Sequence, residues 1–153
     1  MMSYCGKFTL TLAHGQYIGT ETSPCTADEI IMFVLNPSET HKTVNVILSS
    51  AELRTVADLI DLVREATPLD KPERREFHEH LCCIHDKKTS HAIGFIEFRA
   101  LPDEKGVSLK VTDAESTADE ETCTVTMTND EAGRVADSFH KIASARQLEL
   151  GRS

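Results

Sequence analysis

Val46-Ile47-Leu48-Ser49-Ser50-Ala51-Glu52-Leu53-Arg54-Thr55-Val56-Ala57-Asp58 decides how this chain is read. Val125-Thr126-Met127-Thr128-Asn129-Asp130-Glu131-Ala132-Gly133-Arg134-Val135-Ala136-Asp137 restates it 79 residues later. Each copy starts as an alternating strand. Each then places a Ser or Thr three residues before a Glu, the pattern of a capping box. An amphipathic helix follows, with apolar stripes at Leu53, Val56, Ala57, Ile60 and Val63, and at Ala132, Val135, Ala136, Phe139 and Ile142. Between 46–63 and 125–142 there are five identities in eighteen positions, and the core-facing helix positions agree in kind throughout.

Strands precede each of these helices. Phe8, Leu10 and Leu12 alternate with Thr9 and Thr11, and Tyr17 to Glu21 follows a turn at Ala13–Gln16. Ile30 to Leu35 is a short β-rich run and reads as a strand buried on both faces. Thr26-Ala27-Asp28-Glu29 has capping-box form and offers a helix start. Val44, Val46 and Leu48 alternate into the first repeat. Beyond it, Thr67–Pro72 reads as a linker and Glu73 to His80 as a short helix. Leu81–His85 and His91–Phe98 read as a hairpin. Val107–Val111 and Cys123–Met127 complete a second set of strands, and the last helix is expected to fray from about Gln147.

The expected fold is therefore α+β, with antiparallel sheets, two amphipathic helices and an internal duplication of a several-strand-then-helix unit. The halves are 1–67 and 68–153, packed as one pseudo-symmetric domain. This element order resembles that of the PC4, Whirly and PUR families, which bind single-stranded nucleic acid. The resemblance is one of topology and spans most of the chain. It carries no motif residues, so it assigns no residue a role.

Whole-chain numbers narrow the function. At 153 residues, with 40% hydrophobic and 27% charged residues, the chain is sized for an ordinary globular core. The net charge of −9 speaks against a large unspecific nucleic-acid surface and leaves room for a local basic strip. No apolar run approaches a membrane span. Five irregularly spaced cysteines, Cys82 and Cys83 vicinal, suit a reducing compartment, so a cytoplasmic location is expected.

The densest chemistry lies in His78-Glu79-His80-Leu81-Cys82-Cys83-Ile84-His85 and His91. Zinc takes His and thiolate ligands, and Cys83, His85 and His91 are the metal candidates. The spacing matches no C-x-x-C or H-E-x-x-H pattern. The acidic stretch 113–121 lacks the glycine and terminal glutamate of a calcium loop. For nucleic acid, Arg74, Arg75, Lys87, Lys88 and Arg99 are the candidate cations, and Phe77, Phe95 and Phe98 the candidate aromatics. Phe95 and Phe98 have opposite parity on one strand, so at least one belongs to the core. The leading expectation is a small intracellular, non-catalytic protein-interaction or regulatory module that self-associates through open sheet edges. The second is a single-stranded nucleic-acid binder. The third is a metal-binding protein or enzyme built on the His/Cys cluster.

Overall fold

The computed structural model describes residues 6–22, 28–40, 42–66, 80–85, 92–101, 106–113 and 121–151. The first strands are β1 (Gly6–Thr11), β2 (Tyr17–Thr22), β3 (Ile30–Leu35) and β4 (Val44–Leu48), and α1 (Ser50–Ala66) follows them. The second set is β5 (His80–His85), β6 (Ala92–Leu101), β7 (Gly106–Asp113) and β8 (Glu121–Thr128), ending in α2 (Asn129–Gly151). Each set forms a four-stranded antiparallel sheet in sequence order, β1-β2-β3-β4 and β5-β6-β7-β8. The α+β class and the strands-then-helix order are as the sequence predicts.

The two helix starts have the same geometry. Glu52 N–H donates to Ser49 Oγ at 3.1 Å, and Ser49 N–H donates to Glu52 Oε1 at 2.9 Å. Glu131 N–H donates to Thr128 Oγ1 at 3.1 Å, and Thr128 N–H donates to Glu131 Oε1 at 2.9 Å. Each box satisfies N–H groups that the first helical turn would leave without partners. Thr128→Ala is expected to cost about 1 kcal/mol in urea unfolding, the usual worth of an N-cap side chain. An unchanged midpoint would show that water replaces the cap.

Both predicted stripes are the buried faces. Leu53, Val56, Ala57, Ile60 and Val63 are fully buried, as are Ala132, Val135, Ala136 and Phe139, with Ile142 nearly so. The helices lie antiparallel against each other. Arg54 donates to Ser144 and Gln147, His140 Nε2 lies 3.2 Å from Asp58 Oδ1, and the Arg64 guanidinium rests on Gly133. A side chain at Gly133 would begin 3.3 Å from Arg64 Cζ, tight enough to displace the guanidinium. The helix pair sits on the inner faces of the sheets, α1 reaching β6 and β7 as well as its own β4. One contiguous core joins inner-face residues of both sheets with both stripes.

Three local expectations are corrected. Asp28 and Glu29 lead directly into β3 and start no helix. The Asp28 carboxylate instead accepts from Ser50 N–H at 3.0 Å and Ser50 Oγ at 2.8 Å, adding an acidic partner at the start of α1. β3 is not buried on both faces: Ile31 is 37% exposed, because helices cover only the inner face of its sheet. The last helix, expected to fray from about Gln147, stays helical beyond it. It runs to Gly151, held by Arg54 to Gln147 at 2.7 Å and by buried Arg146 to Glu149 at 3.2 Å. The expected linker (67–72) and most of the expected short helix (73–79) lie outside the described residues, and His80 is the first residue of β5.

The sheets are also tied edge to end. Thr126 N–H donates to Gln16 Oε1 at 2.9 Å, Thr124 N–H donates to Glu39 Oε1 at 2.9 Å, and Asn36 Nδ2 donates to Thr124 O at 2.8 Å. These side chains come from the β1–β2 and β3–β4 turns. They occupy backbone groups on the outer edge of β8, which would otherwise invite another strand.

Candidate nucleic-acid interface

Side chains on a strand alternate between faces, so each sheet that lends one face to the core presents the other outward. On the first sheet the inner residues include Leu10, Ile18, Met32, Val34, Val46 and Leu48. The opposite parity gives Lys7, Thr9, Tyr17, Ile31, Phe33, Asn45 and Ile47. The register aligns Thr9, Gly19, Phe33 and Asn45 in one row and Lys7, Glu21, Ile31 and Ile47 in the next.

Phe33 organises this outer face. Its ring lies over Gly19, where an added Cβ would come within 2.6 Å of Phe33 Cζ. Tyr17 meets the ring edge-to-face at 6.0 Å and 74°, and Lys7 Nζ stands 5.4 Å from its centroid. Phe33 is consequently buried, while its neighbours stay accessible: Ile31 and Ile47, cross-strand partners, are 37% and 45% exposed. The face joins apolar ground at Gly19, Phe33, Ile31 and Ile47 to exposed polar Thr9, Thr11 and Asn45. Lys7 and Glu21 are the charges among its described residues.

The outer face of the second sheet differs. Here Phe95, Glu97 and Arg99 of β6 stand beside Ser108, Lys110 and Thr112 of β7, and Thr122, Thr124, Thr126 and Thr128 line β8. Glu97 and Lys110 form a cross-strand pair at 3.5 Å, both half exposed, a geometry worth little to stability. The Thr112 and Thr122 hydroxyls are 3.2 Å apart. The Gln16, Asn36 and Glu39 ties hold the Tyr17–Leu35 end of the first sheet against this threonine row.

The predicted site residues are distributed unevenly. Arg99 is exposed on the outer face of β6. Phe98 is core and Phe95 is partly buried on the outer face, in line with their opposite parity. Arg74, Arg75, Phe77, Lys87, Lys88 and His91 lie outside the described residues. Cys83 and His85 are register partners of Phe95 and Ala92 on β5, with a bulge between Ile84 and His85. Among the described residues no group of three potential metal ligands occurs. Residues 114–120 of the acidic segment also lie outside. Among the described residues no helix is long and apolar enough to cross a membrane. Sequence reasoning missed Tyr17, Phe33 and Lys7. The available signal was Phe33 standing at opposite parity to Met32 and Val34; its register partner on the neighbouring strand is Gly19.

Cys123 lies beneath the seam, fully buried on β8. Burial, and then the nearby Glu39 charge, push its thiol above the usual range. It stays protonated at pH 8, where the thiolate is the reactive form. Iodoacetamide at that pH is expected to spare Cys123 in the native protein and label it on unfolding, as read by peptide mapping. Native labelling at the rate of a free thiol would contradict this burial.

No protein-family model matches the chain, and no curated protein sequence matches it. Solved structures do. The chain is similar to WHY1 from Arabidopsis thaliana, with a TM-score of 0.55 at 11% identity, over 95% of this chain and 86% of that one. A guide-RNA-binding protein complex bound to a gRNA matches with a TM-score of 0.54 at 11% identity, over 94% and 93%. The plant transcriptional regulator PBF-2 matches with a TM-score of 0.54 at 10% identity, over 97% and 85%. At this identity the likeness is one of fold: this chain has the double sheet-then-helix architecture of those proteins.

Proposed function

We propose that this protein binds single-stranded nucleic acid on the outer faces of its two sheets. The observation that carries the reading is where the charge is not. In a chain of net charge −9, Glu21 and Glu97 are the carboxylates among the described outer-face positions of β1–β4 and β6–β8. The carboxylates of the helices, Glu52, Asp58, Asp61, Asp130, Glu131, Asp137 and Glu149, lie on the other side of the sheets. The outer faces keep Lys7, Arg99 and Lys110 together with aromatic and hydroxyl side chains, the groups that meet phosphates, sugars and unstacked bases. A fold shared with a complex bound to a guide RNA supports the same reading. It favours the second of the three sequence-based expectations over the first.

The test is fluorescence anisotropy with labelled oligo(dT) and oligo(U) against a duplex of equal length at low salt. Binding to the single strands with weaker binding to the duplex is expected. No binding to either single strand would refute the proposal.

A further inference from the structure

We infer that the two outer faces divide the recognition of one bound strand, the β1–β4 face taking bases and the β5–β8 face taking the sugar–phosphate backbone. The inference rests on the function proposed above. It comes from an asymmetry between two otherwise matching halves. On the first sheet two large aliphatic side chains, Ile31 and Ile47, are exposed beside the partly buried Tyr17 ring, among exposed Thr9, Thr11, Glu21 and Asn45, and its cation Lys7 lies over the Phe33 ring. With one cation, which lies over a ring and is matched in register by Glu21, such a surface favours the flat face of a base over a phosphate.

The second sheet differs. Arg99 and Lys110 are exposed there, Lys110 standing 3.5 Å from Glu97, while Phe95 is partly buried and no large hydrophobic is exposed among the described residues of the sheet. Thr124 and Thr126 follow at alternate positions along β8. Side chains two residues apart on an antiparallel strand recur about every 6.8 Å, comparable to the repeat of phosphates in an extended single strand. Cations and hydroxyls are the usual partners of phosphate and sugar oxygens. The threonine backbone is itself immobilised, because Gln16 and Glu39 accept its N–H groups. Those same ties hold the Tyr17 end of the first sheet beside β8. A strand crossing the seam therefore passes from one chemistry to the other without leaving the protein.

Anisotropy with two probes tests this: oligo(dT) and an abasic deoxyribose-phosphate oligomer of equal length. The variants are Tyr17→Ala with Ile47→Ser, at accessible positions, and Arg99→Ala with Lys110→Ala. The first pair is expected to weaken oligo(dT) binding by about tenfold, from lost stacking, and to leave abasic binding within about twofold. The second pair is expected to weaken both probes by a similar factor. An equal effect of the first pair on both probes, or no effect on oligo(dT), overturns the division while the binding function stands. Wild-type protein that binds neither probe overturns both. A second readout is independent of variant folding: a 5-bromouridine oligomer is expected to photocrosslink to the Tyr17 peptide. Crosslinks confined to β6–β8 peptides would overturn the division.

Discussion

Phe139→Ala is expected to destabilise the protein by about 3–5 kcal/mol, the range for truncating a buried Phe. Phe139 is fully buried on the inner face of α2. Its ring meets Phe8 of β1 edge-to-face, with centroids 6.3 Å apart and planes at 84°. It thus joins the helix of one half to the first strand of the other. Aromatics are only 5% of the chain, so few other side chains could fill the space by shifting. Against a typical total of about 5–15 kcal/mol, such a loss brings the domain close to unfolding at 25 °C. Guanidinium unfolding followed by circular dichroism measures it. A loss below about 1 kcal/mol would mean that the core closes over the cavity. The contiguous core also predicts one unfolding transition, and two resolved transitions would contradict it.

The second large effect concerns binding. Arg99→Glu combined with Lys110→Glu is expected to lower affinity for oligo(dT) by about 100-fold at 0.1 M salt, because the two phosphate contacts proposed above would become repulsive. The wild-type salt dependence should be shallow. Single strands give a log–log slope of about −0.7 per phosphate neutralised, so two or three cations give about −1.4 to −2. The double reversal should flatten that slope further. An unchanged affinity would remove the second sheet from the interface. A wild-type slope steeper than about −4 would instead assign the main contacts to Arg74, Arg75, Lys87 and Lys88, beyond the described residues.

Elements whose causes are local could be read directly from the residues. Ser49 with Glu52 and Thr128 with Glu131 carry reciprocal donors and acceptors three residues apart, so the helix starts need no tertiary partner to be recognised. The stripes from Leu53 to Val63 and from Ala132 to Ile142 follow from helical periodicity, and the strand alternations from period two. The count of strands before each helix, and so the α+β class, followed from these. Arg99 was legible as a candidate cation, and its place on the outer face came from the register of β6.

Features that depend on residues distant in sequence emerged only from packing. Asp28 looked like part of a helix start and is a cap for Ser50, 22 residues away. Ile31 looked buried because hydrophobicity cannot say which face of a sheet receives the helices. Phe33, Tyr17 and Lys7 form one surface only because the register brings three strands into line over Gly19. The candidate interface is a product of that register and of the turn side chains that fix β8 against the first sheet. Short-range patterns encode hydrogen-bond and burial preferences along one element, whereas a binding face is a coincidence of several elements that only packing creates.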